Sequence, residues 1–282
     1  MIKCKLPNQL AIISSKSIYQ ILQYKYSSNN SCVTFKINER NIIIQSDVVL
    51  SFFDLAVLNA IHSIYLEFGN CKKFSLLNIL KILTGNSKAH FSNQSKKSNT
   101  LSKESLLCSL EKLSNFKILK VEDIKPKCSS LINLRFENSY LTLLETPAIF
   151  KMYEDGLIKF KYLLIDSLAI GFNIKNKSYI HQTINIIEFK FYILAEIAIS
   201  KEVITLDNHK LKSLIGSKQQ EDELDIKFKN GMLCYDYFQK RKNAINRKFK
   251  NTYLVGFLMN LKKFDAIKSF RIDSQQIIIY LK

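Results

Sequence analysis

The sequence predicts a mainly helical α+β fold, and three observations carry that expectation. Apolar residues recur at helical spacing over long stretches. Only seven glycines and three prolines interrupt the 282 residues, so long elements should dominate. Twice along the chain, helices are followed by a pair of extended segments. That is the order of a winged helix, a helix-turn-helix variant whose closing β-hairpin is the wing. The expected architecture is two tandem winged-helix domains with β-hairpin wings.

Residues 1–50 precede the first unit and carry a hairpin: Val33 to Ile37, a polar turn at Asn38-Glu39-Arg40-Asn41, then Ile42 to Gln45. The first unit spans residues 51–146. Its first helix starts at Ser51, a natural N-cap, with Asp54 at the third position of a capping box. Val57, Leu58, Ile61, Ile64, Tyr65 and Phe68 define an inner face, and Asn59, Ser63 and Glu67 an outer one. Gly69-Asn70 stops it. A short helix, Ser75 to Leu83, ends at Gly85-Asn86, and residues 87–100 read as a polar loop. A third helix, Leu101 to Ser114, turns Leu106, Leu110 and Leu113 inward. Strand-like runs follow at Lys117 to Val121, Leu131 to Phe136 and Tyr140 to Leu144.

Residues 147–179 connect the units, opening at Pro147 and closing a first segment at Gly156. The second unit, residues 180–282, begins with a long apolar helix from Gln182 to Ser200. Then come an extended Val203-Ile204-Thr205, a helix capped by Asp207 and closed at Gly216, and a polar loop. A long basic helix from Phe238 to Lys263 leads into a terminal hairpin, Ile267 to Ile272 and Gln276 to Leu281, turning at Asp273-Ser274. Gly85 and Gly216 fall at corresponding places. The duplication is architectural, since the halves share no sequence repeat.

The formal charge of +18 points to a polyanionic partner: nucleic acid or an anionic surface. Lysine, isoleucine and asparagine are abundant, as in an AT-rich coding sequence, whereas arginine is confined to Arg40, Arg135, Arg241, Arg247 and Arg271. The segment Lys227 to Lys250 holds eight basic residues against Asp236 alone. On a helix, Phe238, Ile245, Phe249, Thr252 and Gly256 share one side. Lys240, Asn243, Ala244, Arg247 and Asn251 share the opposite side, with Lys250 at its margin. Such a helix suits the major groove: arginine pairs with guanine, asparagine with adenine, and lysines hold phosphates. The expected DNA-contacting set is Lys240, Arg241, Lys242, Asn243, Arg247, Lys248, Lys250 and Asn251. Lys88, Lys96 and Lys97 of the first-unit loop should touch the backbone. The bland alternative is a solvated face in a lysine-rich chain. Outward positions of the first-unit third helix are nearly neutral (Glu104, Ser105, Cys108, Glu111, Lys112), which suits self-association better than groove reading.

Local sequence offers no catalytic pattern. The histidines (His62, His90, His181, His209) form no H-x-H or H-E-x-x-H, and no phosphate-binding or dinucleotide glycine motif occurs. The cysteines (Cys4, Cys32, Cys71, Cys108, Cys128, Cys234) include no C-x-x-C pair and read as reduced thiols. Neither a signal peptide nor a membrane span is expected, so a cytoplasmic binding protein without cofactor or enzymatic activity is the reading.

Phe53-Asp54-Leu55-Ala56-Val57-Leu58-Asn59-Ala60-Ile61-His62-Ser63-Ile64-Tyr65 resembles the first helix of plasmid replication initiator (Rep) proteins of low-GC bacteria. The resemblance continues through Gly69-Asn70, Phe74-Ser75, Leu83-Thr84-Gly85-Asn86, Ser105 to Leu113 and Ile118. It returns more faintly at Pro147 to Tyr153 and in the basic helix with its hairpin. It spans residues 50–282 and leaves residues 1–50 unmatched. It implies two winged helices on double-stranded DNA at the direct repeats of an origin, recruitment of host replication proteins, and a homodimer. It further implies that the second unit reads the groove while the first contacts backbone or forms the dimer. Competing readings are a transcription regulator on the same fold and a basic protein binding RNA or a membrane surface. Against these last two stand the absence of an RNP-like or G-x-x-G pattern and of a Trp-rich apolar face.

Overall fold

The computed structural model describes residues 6–23, 32–37, 40–46, 48–67, 73–91, 101–120, 127–137, 140–169, 172–173, 178–179 and 183–282. It is an α+β fold of helices and small antiparallel sheets. In chain order come β1 (Gln9–Ile13), α1 (Lys16–Leu22), β2 (Cys32–Ile37), β3 (Arg40–Gln45), α2 (Phe52–Glu67), β4 (Lys73–Ser75), α3 (Leu76–Thr84) and α4 (Lys103–Asn115). They are followed by β5 (Lys117–Lys120), β6 (Lys127–Ser130), β7 (Leu134–Glu137), β8 (Tyr140–Leu143), α5 (Ala148–Glu154), β9 (Phe160–Leu164), β10 (Phe172–Asn173) and β11 (Ser178–Tyr179). The rest is α6 (Ile184–Ile199), β12 (Val203–Asp207), α7 (Asn208–Leu214), α8 (Ser217–Lys229), α9 (Tyr235–Arg247), α10 (Gly256–Lys263), β13 (Ser269–Ile272) and β14 (Gln276–Tyr280).

One connectivity occurs twice. A long apolar helix (α2, α6) leads to a short strand (β4, β12), further helices, and a closing hairpin (β7–β8, β13–β14). The short strand pairs with the last strand of the hairpin, giving sheet orders β4-β8-β7 and β12-β14-β13. The expected hairpin of the N-terminal region is also present as β2 and β3, with Arg40 already in strand; Asn38 and Glu39 of its turn lie outside the described residues. It does not stand apart. β3 pairs with β5, and β5 with β6, so this hairpin and the Lys117 run share a second sheet, and β7–β8 alone forms the first closing hairpin.

Helices α2 and α6 form the centre, packed on one another with Phe52 edge-on to Tyr192 at a centroid distance of 5.2 Å. The capping box of α2 is as the sequence predicts. The Asp54 carboxylate accepts from the Ser51 N–H at 2.9 Å, and Ser51 Oγ accepts from the Asp54 N–H at 3.2 Å. The expected outer face of α2 needs correction, because Asn59 and Ser63 are buried. Strand β1 lies across them, bonded to β9 along one edge. On its other edge the Ala11 N–H donates to Ser63 Oγ at 2.8 Å and the Ile13 N–H to Asn59 Oδ1 at 3.2 Å. Polar residues are required there because a buried strand edge must find acceptors. The expected stop at Gly69-Asn70 lies outside the described residues.

A cluster of contacts joins the two halves. The buried Lys190 amine of α6 donates to the Leu83 carbonyl at the end of α3 (2.7 Å) and to that of Leu168 (2.9 Å). Gly85 sits beneath the 3-10 turn Ile165–Leu168 with φ of 65°; a Cβ there would fall 2.5 Å from the Ala169 nitrogen. Only glycine meets both conditions. Asn260 of α10 donates to the carbonyls of Asp166, Ser167 and Ala169 at 2.9–3.0 Å.

Candidate nucleic-acid interface

The basic segment is split: Lys227 and Lys229 end one helix, and its other six cations lie on a continuous helical run, Tyr235 to Lys263, that leads into the terminal hairpin. The middle of that run, Lys248–Val255, is π-helical. A π turn spends one more residue than an α turn and so rotates everything beyond it. A straight helix would carry the inner face from Phe249 to Thr252 and Gly256. Instead the buried side chains are Phe238, Phe249, Leu254, Phe257, Leu258 and Leu261, while Thr252 and Gly256 are half-buried.

The expected polar loop after Gly216 is helix α8. Ser-Lys-Gln-Gln-Glu-Asp-Glu consists largely of good helix formers, and Lys227 and Lys229 stand in the last turn, where the helix dipole favours cations. Its apolar periodicity is weak because much of it faces solvent. A turn with Gly231 at φ 70° closes it, Met232 N–H donating to the Lys227 carbonyl at 3.0 Å, and the chain returns as α9. Phe228 stacks on Phe238 at 4.3 Å, so α8 and α9 form a helical hairpin.

Buried polar contacts at the base of this hairpin orient α9. Lys212 of α7 donates to Glu221 of α8 at 2.9 Å and to Asn246 of α9, beside the Phe249 ring. Glu221 is buried, so this pair is screened far less than a surface one.

Lys240, Asn243, Arg247, Lys250 and Asn251 are all exposed. Among the described residues, Lys240, Arg247 and Lys250 enter no ion pair. Arg241 and Lys248 are exposed on the adjoining flank. The Arg241 Nε–H donates to the Tyr237 hydroxyl at 2.9 Å, and the Lys248 amine lies 5.7 Å from the centre of the Tyr253 ring. Lys242 is different: it turns to α8, ion-paired with Asp225 at 2.8 Å and 5.1 Å above the Phe238 ring. Of the four carboxylates of α8, outside the 227–250 count, Glu221, Asp222 and Asp225 are paired with Lys212, Lys218 and Lys242, and Glu223 accepts from Gln219 at 3.1 Å.

In the first unit, Glu104, Cys108 and Glu111 of α4 are exposed, but Lys112 turns inward to the buried Asp54 at 3.6 Å. Ser105 is half-buried in a capping box with Ser102. Lys88 is exposed on the turn after α3; Lys96 and Lys97 lie outside the described residues. His62 is buried in α2 against the Phe160 ring, and burial pushes its pKa down to about 3. His90 and His209 are exposed, and His181 lies outside the described residues. Cys108 and Cys234 are exposed free thiols. No three His, Cys, Asp or Glu side chains among the described residues gather as a metal site, and no described helix is long and apolar enough to cross a membrane.

What the arrangement can do chemically is present a convex row of cations and amides to a polyanion. No family model matches the chain, and no curated protein matches it. Among solved structures it is similar to RctB domains 2-3, at 10% identity and a TM-score of 0.38, over 93% of this chain and 96% of that one. A likeness that low leaves the functional reading to the residues themselves.

Proposed function

We propose that this chain is a sequence-specific duplex DNA-binding protein, built from two winged-helix units, that initiates plasmid replication by binding origin repeats. The observation that carries the reading is the exposed row Lys240, Asn243, Arg247, Lys250 and Asn251, on a helix that runs directly into a β-hairpin. The repeated connectivity supports the winged-helix assignment, since helix–strand–helices–hairpin with the short strand beside the last is the winged-helix order. The origin-specific part rests on the resemblance of the first helix and its successors to plasmid initiators. Host replication proteins and a second copy of the chain are the partners it brings with it. The role is one of binding, without catalysis.

The test is titration of a labelled duplex carrying the repeats that flank the gene, across a range of salt. If about six phosphates are neutralised, log K should fall with log salt at a slope of roughly −5. A flat salt response, or no duplex binding at low salt, would overturn the reading. A single promoter palindrome as the preferred site would favour a transcription regulator instead.

A further inference from the structure

Beyond the outward face, α8 and α9 enclose a groove of about 480 Å³ on one flank of their hairpin. Its floor is apolar: Leu224 of α8, with Ala244 and Ile245 of α9, and Leu233 from the turn. Its rim is cationic: Lys227, Arg241 and Lys248 line it, and no carboxylate does. Tyr237 and Tyr253 also line it, each within cation–π range of one of these cations. From Ser217 to Lys227 the groove follows α8 for about 15 Å, at 1.5 Å of rise per residue. Leu224, Leu233, Ala244 and Ile245 are each half-buried, so the floor is open to a partner.

A mainly apolar floor whose only charged neighbours are cations, with the neutral Ser217 and Gln220 beside them, is complementary to an amphipathic helix with acidic flanks. Duplex DNA would satisfy the rim but leave Leu224, Leu233 and Ile245 against phosphates and water, where they gain nothing. The outward row on α9, by contrast, has no apolar floor and fits phosphates well. The two faces of α9 therefore differ in the chemistry they match.

We propose that the α8–α9 groove is the docking site for an acidic amphipathic helix of about ten residues from a partner protein, packed with its apolar stripe on Leu224 and Ile245 and its carboxylates towards Lys227, Arg241 and Lys248. The complex is a local three-helix packing. It uses the flank of α9 next to the outward row, so partner and DNA bind together.

The experiment selects binders from a displayed library of random helical 16-mers against the full chain. It then measures the best peptide by fluorescence anisotropy on wild type, L224K and L233K. Both substitutions add positive charge while placing bulk in the groove. Plain attraction to a chain of charge +18 predicts tighter capture by the variants. Groove docking predicts binding about ten-fold weaker or worse, in variants that keep their melting temperature and duplex affinity. Enrichment of acidic sequences with apolar residues at i, i+3 and i+4, lost in both variants, is the expected result. Enrichment without that spacing, undiminished binding by either folded variant, or displacement of the peptide by saturating duplex DNA would overturn the proposal. The last outcome assigns the groove to DNA. Failure of duplex binding with the peptide result intact would sink the proposed function and leave this docking site standing.

Discussion

Helices α4 and α9 hold comparable places, each among the helices between a short strand and a hairpin, yet they face solvent with opposite chemistry. On α4 the exposed side chains include Glu104, Cys108 and Glu111, and the nearby cation Lys112 is drawn in by the buried Asp54. On α9 three of the four carboxylates of the neighbouring α8 are occupied by Lys212, Lys218 and Lys242 and the fourth, Glu223, by Gln219, which leaves Lys240 and Arg247 available. The comparison teaches that counting charges along a helix is insufficient. What matters is which charges the packing has already paired, and here it removes a cation from one face and spares a row on the other.

The largest expected effect tests whether the α9 row depends on the core beneath it. Phe249 is buried in the π-helical stretch, edge-on to Phe189 at 6.5 Å. Phe249→Ala should destabilise the protein by about 3–5 kcal/mol, read as a fall in the midpoint of chemical unfolding. A loss under about 1 kcal/mol would mean that this ring anchors nothing.

The next concerns the opposite half. His62 is uncharged and buried in the first unit, taking a proton only at about pH 3, whereas in the unfolded chain it does so near 6.5. Between those values the unfolded state binds the extra proton, so stability is full above about pH 6.5 and falls as the pH drops towards 3. The slope approaches about 1.4 kcal/mol per pH unit. His62→Leu should flatten that portion of the profile in urea melts at graded pH. An unchanged slope in this variant would place the acid sensitivity elsewhere.

Arg247→Ala then bears on reading. One bidentate base contact discriminates by about 1–3 kcal/mol, so specific binding should weaken about 5- to 150-fold, with relaxed preference at one base pair. Scrambled duplex should be bound almost as before. If the folded variant keeps full affinity and selectivity, α9 is not the reader and the first unit must be.

The smallest effects sharpen the contrast directly. Lys240→Ala should lower the salt slope by about one unit and weaken all sequences alike. Glu104→Lys with Glu111→Lys should raise affinity for any duplex if α4 lies along the DNA, and leave it unchanged if α4 faces a second copy or solvent. Lys242→Ala should shift duplex affinity less than Lys240→Ala, because Lys242 serves Asp225. Equal losses for the two lysines would refute the division between paired and spare cations.

The elements themselves were largely legible in the residues. Period-3.6 apolar patterns place α2, α3, α4, α6 and the long basic helix, the capping signals at Ser51 and Asp207 mark starts, and period-2 runs place β2, β3, β13 and β14. These are local properties, set by side chains within a few positions of one another. Strand β1 and helix α1 were not anticipated, and α8 was hidden because a helix that faces mostly water leaves little apolar rhythm. The outward row Lys240, Asn243 and Arg247 was likewise legible, since helical geometry alone puts those positions together.

The pairing of distant parts was decided by the tertiary structure. Asn59 and Ser63 look like a solvated face until strand β1 arrives across α2 and needs acceptors. Lys242 and Lys112 look like surface cations until Asp225 and Asp54 claim them. The π stretch turns Leu254 rather than Thr252 inward, where the straight-helix spacing would place Thr252. The sequence by itself thus determined which segments are helix or strand and where positive charge accumulates, because those depend on neighbours along the chain. Which charges remain free to meet a partner, and which polar groups are buried, only the tertiary structure decided, because burial and ion pairing depend on residues dozens of positions away.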